Sequence, residues 1–127
     1  MKSNIAFISD DILFLNLLSP LLKRVLPNIQ IYNCNSFREI DEKIGEVTCD
    51  LILVDGGLKT VSSIEIIHYI RLNKHILAPI WFFPEILTRD YIHKAKEMGV
   101  TKIIDKPFDP YQITDEIVSS INISYKL

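Results

Sequence analysis

Cysteine is scarce in this sequence, and its placement excludes two classes of protein. Only Cys34 and Cys49 occur among the 127 residues. Two cysteines do not make the disulfide framework of a small secreted protein, and neither has a cysteine or histidine at the spacing of a metal site. We therefore predict two small buried hydrophobic side chains, a reducing environment and a cytoplasmic location.

An excess of positive charge is missing as well. The chain has 14 lysine and arginine residues against 16 aspartate and glutamate residues, a net charge of −2, without a basic cluster. Proteins that bind nucleic acids rely on lysine and arginine side chains that neutralise phosphates. The charge balance therefore predicts that nucleic acid is not a main partner of this domain.

Long hydrophobic runs are absent too. The most apolar stretch, residues 12–22, contains 11 residues without a charge between Asp11 and Lys23. A helix that spans a bilayer needs about 20 apolar residues, and these flanking charges do not suit a signal peptide. We find no repeat, low-complexity tract or linker, so the sequence predicts one domain over residues 1–127 without a membrane partner.

What the sequence does have is an alternation of strand-like and helix-like segments. The strand-like runs are rich in β-branched and aromatic residues, and several are continuously apolar, as in strands covered on both faces. They occupy residues 4–9, 29–33, 51–54, 79–83 and 102–104.

Helical patterns fill the intervals between these runs. Two capping boxes, Ser36 with Glu39 and Ser62 with Glu65, predict the starts of two helices. In a capping box the hydroxyl accepts a hydrogen bond from a backbone N–H of the first turn. The acid three residues later returns a bond to the start of the helix.

Three further helices are expected. One covers about residues 11–26 and contains Pro20, which predicts a kink or a shifted start because proline lacks a backbone donor. Another covers about residues 88–98 and ends at Gly99 in a left-handed conformation. The last begins after Asp109, which we predict to be its N-cap.

Five successive β-α units predict a parallel sheet covered by helices on both sides. Their number and the chain length suit a flavodoxin-like α/β fold. This is a three-layer sandwich with five helices around a five-stranded sheet of order 2-1-3-4-5. Ligands of such sheets bind at the carboxyl ends of the strands, near the point where the strand order reverses. The first and third strands are neighbours in this order, so the residues that follow them should meet.

Charged residues follow three of these strands. Asp10 and Asp11 come after the first strand, Asp55 after the third and Lys106 after the fifth. Three close carboxylates repel one another unless a cation joins them, and hard oxygen ligands favour Mg²⁺. A metal ion and a lysine beside a carboxylate describe a site for phosphoryl transfer, with Asp55 as the nucleophile. We expect Gly57 to offer its backbone carbonyl to the metal.

Each of these residues also has an ordinary structural interpretation. Asp10 alone suits a helix N-cap, Asp11 a first-turn acid favoured by the helix dipole, and Lys106 a solvated surface lysine. Asp55 resists such an interpretation because the run before it predicts a buried strand. We expect Gly56 and its neighbour to keep the space around that carboxylate open. The convergence of all four charged residues favours the site.

Three segments, FISDD, DLILVDGGL and IIDKPFDP, resemble in order and spacing the signature segments of CheY-like response-regulator receiver domains from two-component signalling. The resemblance covers essentially the whole chain. It implies that Asp55 is the phosphoacceptor and that Lys106 pairs with the phosphoryl group. It also implies that Asp10 and Asp11 bind Mg²⁺, with Asp11 the direct ligand and Gly57 lending its carbonyl.

The sequence departs from that family at the positions that read out phosphorylation. Pro84 stands where receivers usually carry a Thr or Ser hydroxyl at the end of the fourth strand. Glu85 occupies the next position, usually small, where a carboxylate would repel a phosphoryl group or narrow its access. Ile103 replaces the usual Tyr or Phe of the fifth strand. The Lys-Pro bond of the family is usually cis, and we expect the same at residues 106–107.

The resemblance implies a domain that accepts a phosphoryl group from a histidine kinase or phosphotransfer protein in a phosphorelay. It would signal by contact with a downstream target or a fused output domain, either as a stand-alone receiver or as part of a longer protein. The hydrophobic faces of the last two helices are also compatible with a homodimer. Its chemistry would be limited to its own phosphorylation and dephosphorylation. The alternative is a pseudo-receiver, a docking module independent of phosphorylation.

Two enzyme or cofactor-binding alternatives are weaker. Haloacid-dehalogenase-type phosphatases need a second acid two residues after the nucleophile, where this chain has Gly57. A flavin or nucleotide binder would need a glycine-rich loop after the first strand to cradle phosphates, and SDDILF stands there instead.

Overall fold

The computed structural model describes residues 2–126, with side chains described through residue 122. Five strands alternate with five helices along the chain. The strands are β1 (Asn4–Ile8), β2 (Gln30–Cys34), β3 (Leu51–Asp55), β4 (Ile80–Phe83) and β5 (Lys102–Ile103). The helices are α1 (Ile12–Val25), α2 (Phe37–Ile44), α3 (Ser63–His68), α4 (Arg89–Glu97) and α5 (Pro110–Lys126).

The five strands form one parallel sheet in the order β2-β1-β3-β4-β5, which confirms the predicted flavodoxin-like, CheY-like fold. Ile8 at the end of β1 lies opposite Val54 of β3, and Asp55 at the end of β3 lies opposite Phe83 of β4. This register brings the carboxyl ends of β1, β3 and β4 to one edge of the sheet.

Alternate side chains of each strand belong to two separate hydrophobic cores, because successive residues of a strand point to opposite faces. On β3, Ile52 and Val54 pack with residues of α2, α3 and α4, whereas Leu51 and Leu53 pack with residues of α1 and α5. All five residues of β3 are buried. Coverage on both faces explains why this strand is a continuous apolar run rather than an alternating one.

The helix starts follow the predicted caps. Ser36 accepts a hydrogen bond from the Glu39 backbone N–H at 3.1 Å, and Ser62 caps α3 in the same way. The returning bond of the first box differs from the expected one. The Glu39 carboxylate accepts from the backbone N–H of Asn35, one residue before the cap, at 2.8 Å.

The helix α1 begins at Ile12 and continues through Pro20 to Val25, so its start is not shifted. Pro20 lies on the exposed side of this helix. Gly99 has the expected left-handed backbone after α4, with a φ of 102°. The Lys106–Pro107 peptide bond is cis, as the resemblance implied.

A π-helical segment, Tyr69–Asn73, extends α3 without a break. Its Arg71 holds the turn that leads into β4. The guanidinium donates hydrogen bonds to the backbone carbonyls of Ile76, Ala78 and Gly99 at 2.7, 2.7 and 2.8 Å. Burial lowers the pKa of this guanidinium.

Among the helices of residues 2–126, none is both long enough and apolar enough to span a membrane.

Candidate functional site

A pocket of about 460 Å³ opens at the carboxyl edge of the sheet, and all five residues predicted for the site line it. These are the acids Asp10, Asp11 and Asp55 together with Gly57 and Lys106. The remaining lining residues are Ile12, Leu13, Lys59 and Glu85. The parallel register therefore gathers the charged residues after β1, β3 and β5 at one place.

Asp55 ends β3 and is only 3% exposed. Its Oδ1 accepts hydrogen bonds from the Lys106 ammonium at 2.7 Å and the Gly57 backbone N–H at 3.0 Å, and its Oδ2 accepts from the Ser9 hydroxyl at 2.9 Å. Burial alone would raise the pKa of Asp55, but these hydrogen bonds outweigh it and lower the pKa below its ordinary value. The buried carboxylate is therefore ionised at neutral pH.

Lys106 is bound by two carboxylates rather than solvated at the surface. Its Nζ lies 2.7 Å from Oδ1 of Asp55 and 2.8 Å from Oε1 of Glu85. Burial would lower the pKa of Lys106, but the hydrogen bonds to both acids outweigh it and raise the pKa. The ammonium thus stays charged and bridges the two carboxylates.

The acid pair after β1 has backbone partners. Asp11, not Asp10, is the N-cap of α1, and its Oδ1 accepts from the Leu13 N–H at 2.9 Å. Asp10 reaches across to the loop after β3, where its Oδ2 accepts from the Lys59 N–H at 2.7 Å. The N-cap role considered for Asp10 therefore belongs to its neighbour. Both carboxylates still line the pocket.

The oxygen donors of the pocket fit Mg²⁺ in kind. Mg²⁺ is usually held by one or two carboxylates while it keeps several waters, so Asp11 and Asp55 on the same pocket form a suitable donor set. Within residues 2–122, no three acidic, histidine or cysteine side chains are already arranged as a metal-binding group. The assignment of the metal ligands stays a prediction from the donor chemistry.

Of the two glycines after Asp55, Gly57 lines the pocket beside that carboxylate, as expected, whereas Gly56 leaves no open space. A Cβ on Gly56 would lie 2.7 Å from the backbone of Phe83, Pro84 and Glu85. A Cβ on Gly57 would lie 2.8 Å from Oε1 of Glu85. The glycines therefore permit the segment after β4 to pack tightly against the loop after β3.

Sequence reasoning missed two serines of the site. The Ser9 hydroxyl donates to Asp55 and accepts from the Asp11 backbone N–H at 2.9 Å, so it links the acid pair to the carboxylate on β3. The Ser63 hydroxyl donates to the backbone carbonyl of Asp55 at 2.8 Å. A hydroxyl at the last position before the acid pair was the available signal for Ser9.

The residues that depart from the receiver pattern are also placed. Pro84 is buried directly after β4, and Glu85 follows it into the pocket. Ile103 on β5 is half-buried and packs on the core that contains Phe82. The pocket thus has a carboxylate beside Lys106 at the strand end where receivers usually present a hydroxyl.

Comparisons with known proteins agree with this fold. Solved structures that resemble the chain include a CheY-like receiver domain protein from Methanospirillum hungatei, with TM-score 0.81, 16% identity, and 99% of this chain and 98% of that chain covered. A two-component response regulator from Clostridium difficile has TM-score 0.80, 21% identity, and 94% and 96% covered.

CheY4 of Vibrio cholerae, a chemotaxis response regulator, has TM-score 0.78, 17% identity, and 95% of this chain and 99% of that chain covered. At these identities the likeness shows the fold. The search of curated protein sequences found no match. The family model for the response regulator receiver domain matches residues 5–118, so the chain belongs to the receiver-domain family of two-component response regulators.

Proposed function

We propose that the domain is a phosphoacceptor that takes a phosphoryl group onto Asp55. One observation carries the proposal: the Asp55 carboxylate is buried and is bound by the Lys106 ammonium at 2.7 Å inside an open pocket. A buried carboxylate is costly unless its charge is compensated, and nucleophilic attack needs the ionised form. The two requirements meet at this residue.

The proposed donor is a phosphohistidine of a histidine kinase or phosphotransfer protein. One Asp55 carboxylate oxygen would attack the phosphorus of a phosphohistidine whose other ring nitrogen is protonated. The phosphorus–nitrogen bond breaks and its electron pair stays on the nitrogen, which leaves an acyl phosphate on the domain and a neutral imidazole on the donor. Lys106 would balance the negative charge of the transferred group. In-line displacement of this kind depends mostly on positioning and charge neutralisation.

Asp11 and Asp55, with the backbone carbonyl of Gly57, would hold Mg²⁺, and Asp10 lies on the same pocket. When bound, the ion supplies positive charge to the oxygens of the transferring phosphoryl group. The signal would then pass by contact with a downstream protein or an output domain. A cytoplasmic location agrees with the two thiols, which form no disulfide.

A second candidate is a pseudo-receiver that docks to its partner without phosphorylation. It is favoured by the end of β4, where Pro84 has no hydroxyl for a phosphoryl oxygen and Glu85 already binds Lys106. In this case Asp11 would serve only as the N-cap of α1, and Asp10 only as the acceptor for the Lys59 backbone N–H.

Labelling by a small phosphodonor such as acetyl phosphate, with and without Mg²⁺, separates the two candidates. We expect Mg²⁺-dependent incorporation of one acid-stable, alkali-labile phosphoryl group, lost in Asp55→Asn. The control Asp115→Asn removes an exposed carboxylate on α5 and should label normally. Labelling that persists in Asp55→Asn, or that is absent from both the unmodified domain and every variant, would favour the pseudo-receiver.

A further inference from the structure

Glu85 places a carboxylate at the mouth of the pocket, next to Asp55. Its Oε1 accepts from the Lys106 ammonium at 2.8 Å, the same ammonium that binds Asp55 at 2.7 Å. The same oxygen lies over Gly57, where a Cβ would come within 2.8 Å of it. Two carboxylates, one at the end of β3 and one in the loop after β4, thus share one cation.

The backbone of residues 83–85, at the end of β4 and just after it, is fixed by close packing. The Gly56 N–H donates to the carbonyl of Phe83 at 2.8 Å, and a Cβ on that glycine would meet the backbone of Pro84 and Glu85 at 2.7 Å. Pro84 itself is buried. The position of the Glu85 backbone is therefore set by its neighbours and by the absence of a side chain on Gly56.

The side chain of Glu85, in contrast, is able to leave. It is 56% exposed, whereas that of Asp55 is 4% exposed. A phosphoryl group on Asp55 would bring additional negative charge and oxygens to the same ammonium. Like charges that compete for one cation in a partly buried pocket repel, so the exposed partner is the one to be displaced.

We propose that Glu85 is an internal competitor for Lys106. Its carboxylate holds the place of the phosphoryl group in the resting domain, slows phosphoryl transfer, and is expelled when Asp55 is phosphorylated. This inference rests on the proposed phosphoacceptor function and adds the group that sets the reactivity of the site. Expulsion also supplies a conformational switch. In the usual receiver pattern a Thr or Ser hydroxyl moves toward the phosphoryl group, whereas here the Glu85 carboxylate would move away from it.

The segment that follows Glu85 is suited to report this expulsion. Ile86 and Leu87 come next in the chain and are 50% and 55% exposed. A phosphoryl group shifts a conformational equilibrium only through contacts that differ between the two states. The contact between Glu85 and Lys106 exists in the resting state and is lost in the phosphorylated one, which meets this requirement.

Binding of inorganic phosphate tests the competition without phosphoryl transfer. Phosphate is titrated into the domain, the Glu85→Gln variant and the control Glu46→Gln while the methyl NMR signals of Ile86 and Leu87 are followed. Glu46 is exposed in the loop before β3, at the opposite edge of the sheet. We expect phosphate to bind Glu85→Gln on the order of tenfold more tightly than the other two proteins, because one competing charge is removed. Equal affinities in all three would overturn the proposal.

The rate of labelling by acetyl phosphate tests the same group during transfer. Glu85→Gln keeps the size of the side chain, and we expect it to label about tenfold faster than the unmodified domain, with Glu46→Gln unchanged. If Glu85→Gln bound phosphate more tightly but no protein were labelled, competition by Glu85 for Lys106 would be supported and phosphorylation of Asp55 would be ruled out. If all three proteins were labelled on Asp55 at the same rate and bound phosphate with the same affinity, competition by Glu85 would be ruled out and phosphorylation of Asp55 would be supported.

Discussion

At the scale of single residues, the site depends on close approaches rather than on charge alone. Gly56 allows three backbone atoms of residues 83–85, at the end of β4 and just after it, to come within 2.7 Å of the place its Cβ would take. Ser9 joins the acid pair to Asp55 through one hydroxyl. These small side chains fix the distances at which the charged groups meet.

Replacement of Gly56 by alanine should therefore destabilise the domain. The added methyl group meets backbone atoms, which cannot turn aside as a side chain does, and overpacking of this kind costs about 1–3 kcal/mol. Urea unfolding of Gly56→Ala against the unmodified domain measures the loss. Gly57→Ala is the matched control: its methyl group comes too close only to the end of the exposed Glu85 side chain and makes an ordinary contact with Asp55, so we expect a smaller loss. An equal loss in both variants would contradict this account.

The two cysteines should be unreactive in the folded domain. Burial raises the pKa of the Cys34 thiol to about 12 and that of the Cys49 thiol to about 11, against about 8.5 for an ordinary cysteine. Because the thiolate is the reactive form, iodoacetamide at pH 8 should modify neither residue within hours. In denaturant both should react readily. Mass spectrometry of the native and unfolded protein gives the measurement, and rapid native modification would count against the burial of these side chains.

At the scale of secondary-structure elements, much of the architecture follows from local pattern. The five strands, the caps at Ser36 and Ser62 and the stop at Gly99 each depend on a few neighbouring residues, and the structure has them where the sequence predicts them. Placement of the charged residues at strand ends likewise follows from the order of the elements.

The parts that could not be predicted depend on residues far apart in the chain. The bond between Asp10 and the Lys59 N–H joins two loops, and the role of Gly56 depends on atoms that follow β4. Local pattern contains no record of such distances. The sequence therefore predicted which charged groups meet, while their hydrogen-bond partners had to come from the structure.

The π-helical segment after α3 should depend on Arg71. Its guanidinium binds three backbone carbonyls of the turn before β4 and the loop after α4, and Arg71→Ala leaves them without this donor. Hydrogen bonds from charged groups contribute about 1.5–3 kcal/mol each, so the loss of three of them should lower the free energy of unfolding by about 4 kcal/mol or more. Arg71→Lys should recover part of it, since one ammonium cannot reach all three carbonyls.

The control for this prediction is Arg38→Ala on α2. The Arg38 side chain is 84% exposed and pairs with Glu42 in an i,i+4 arrangement, which adds little to stability because water screens the two charges. Chemical denaturation of the three variants compares the two arginines directly. A loss for Arg71→Ala no greater than for Arg38→Ala would mean that water replaces the guanidinium without cost.

At the scale of the whole molecule, one sheet serves two cores and one site. The core shared with α2, α3 and α4 and the core shared with α1 and α5 lie on opposite faces of the sheet, and the site lies where these strands end. A change in either core should therefore reach the other through the sheet. The same connection would let a displaced segment after β4 affect helices on both sides.

Unfolding of the domain should therefore be a single cooperative transition, which the one tryptophan is placed to report. Trp81 is 4% exposed and belongs to the core with α1 and α5, whereas Ile66 of α3 is fully buried in the opposite core. We expect Ile66→Ala to cost about 2–5 kcal/mol through the cavity it leaves. Trp81 fluorescence and far-UV circular dichroism should shift together, since small domains unfold in an all-or-none manner.

Leu18→Ala on α1 makes the matched cavity in the core of Trp81 and should shift both signals by a similar amount. If Ile66→Ala moved the circular dichroism transition and left the fluorescence transition in place, the two cores would be independent units. A strain at the end of β4 would then be confined to one face of the sheet. Coincident transitions would mean that the sheet couples both faces into one cooperative unit.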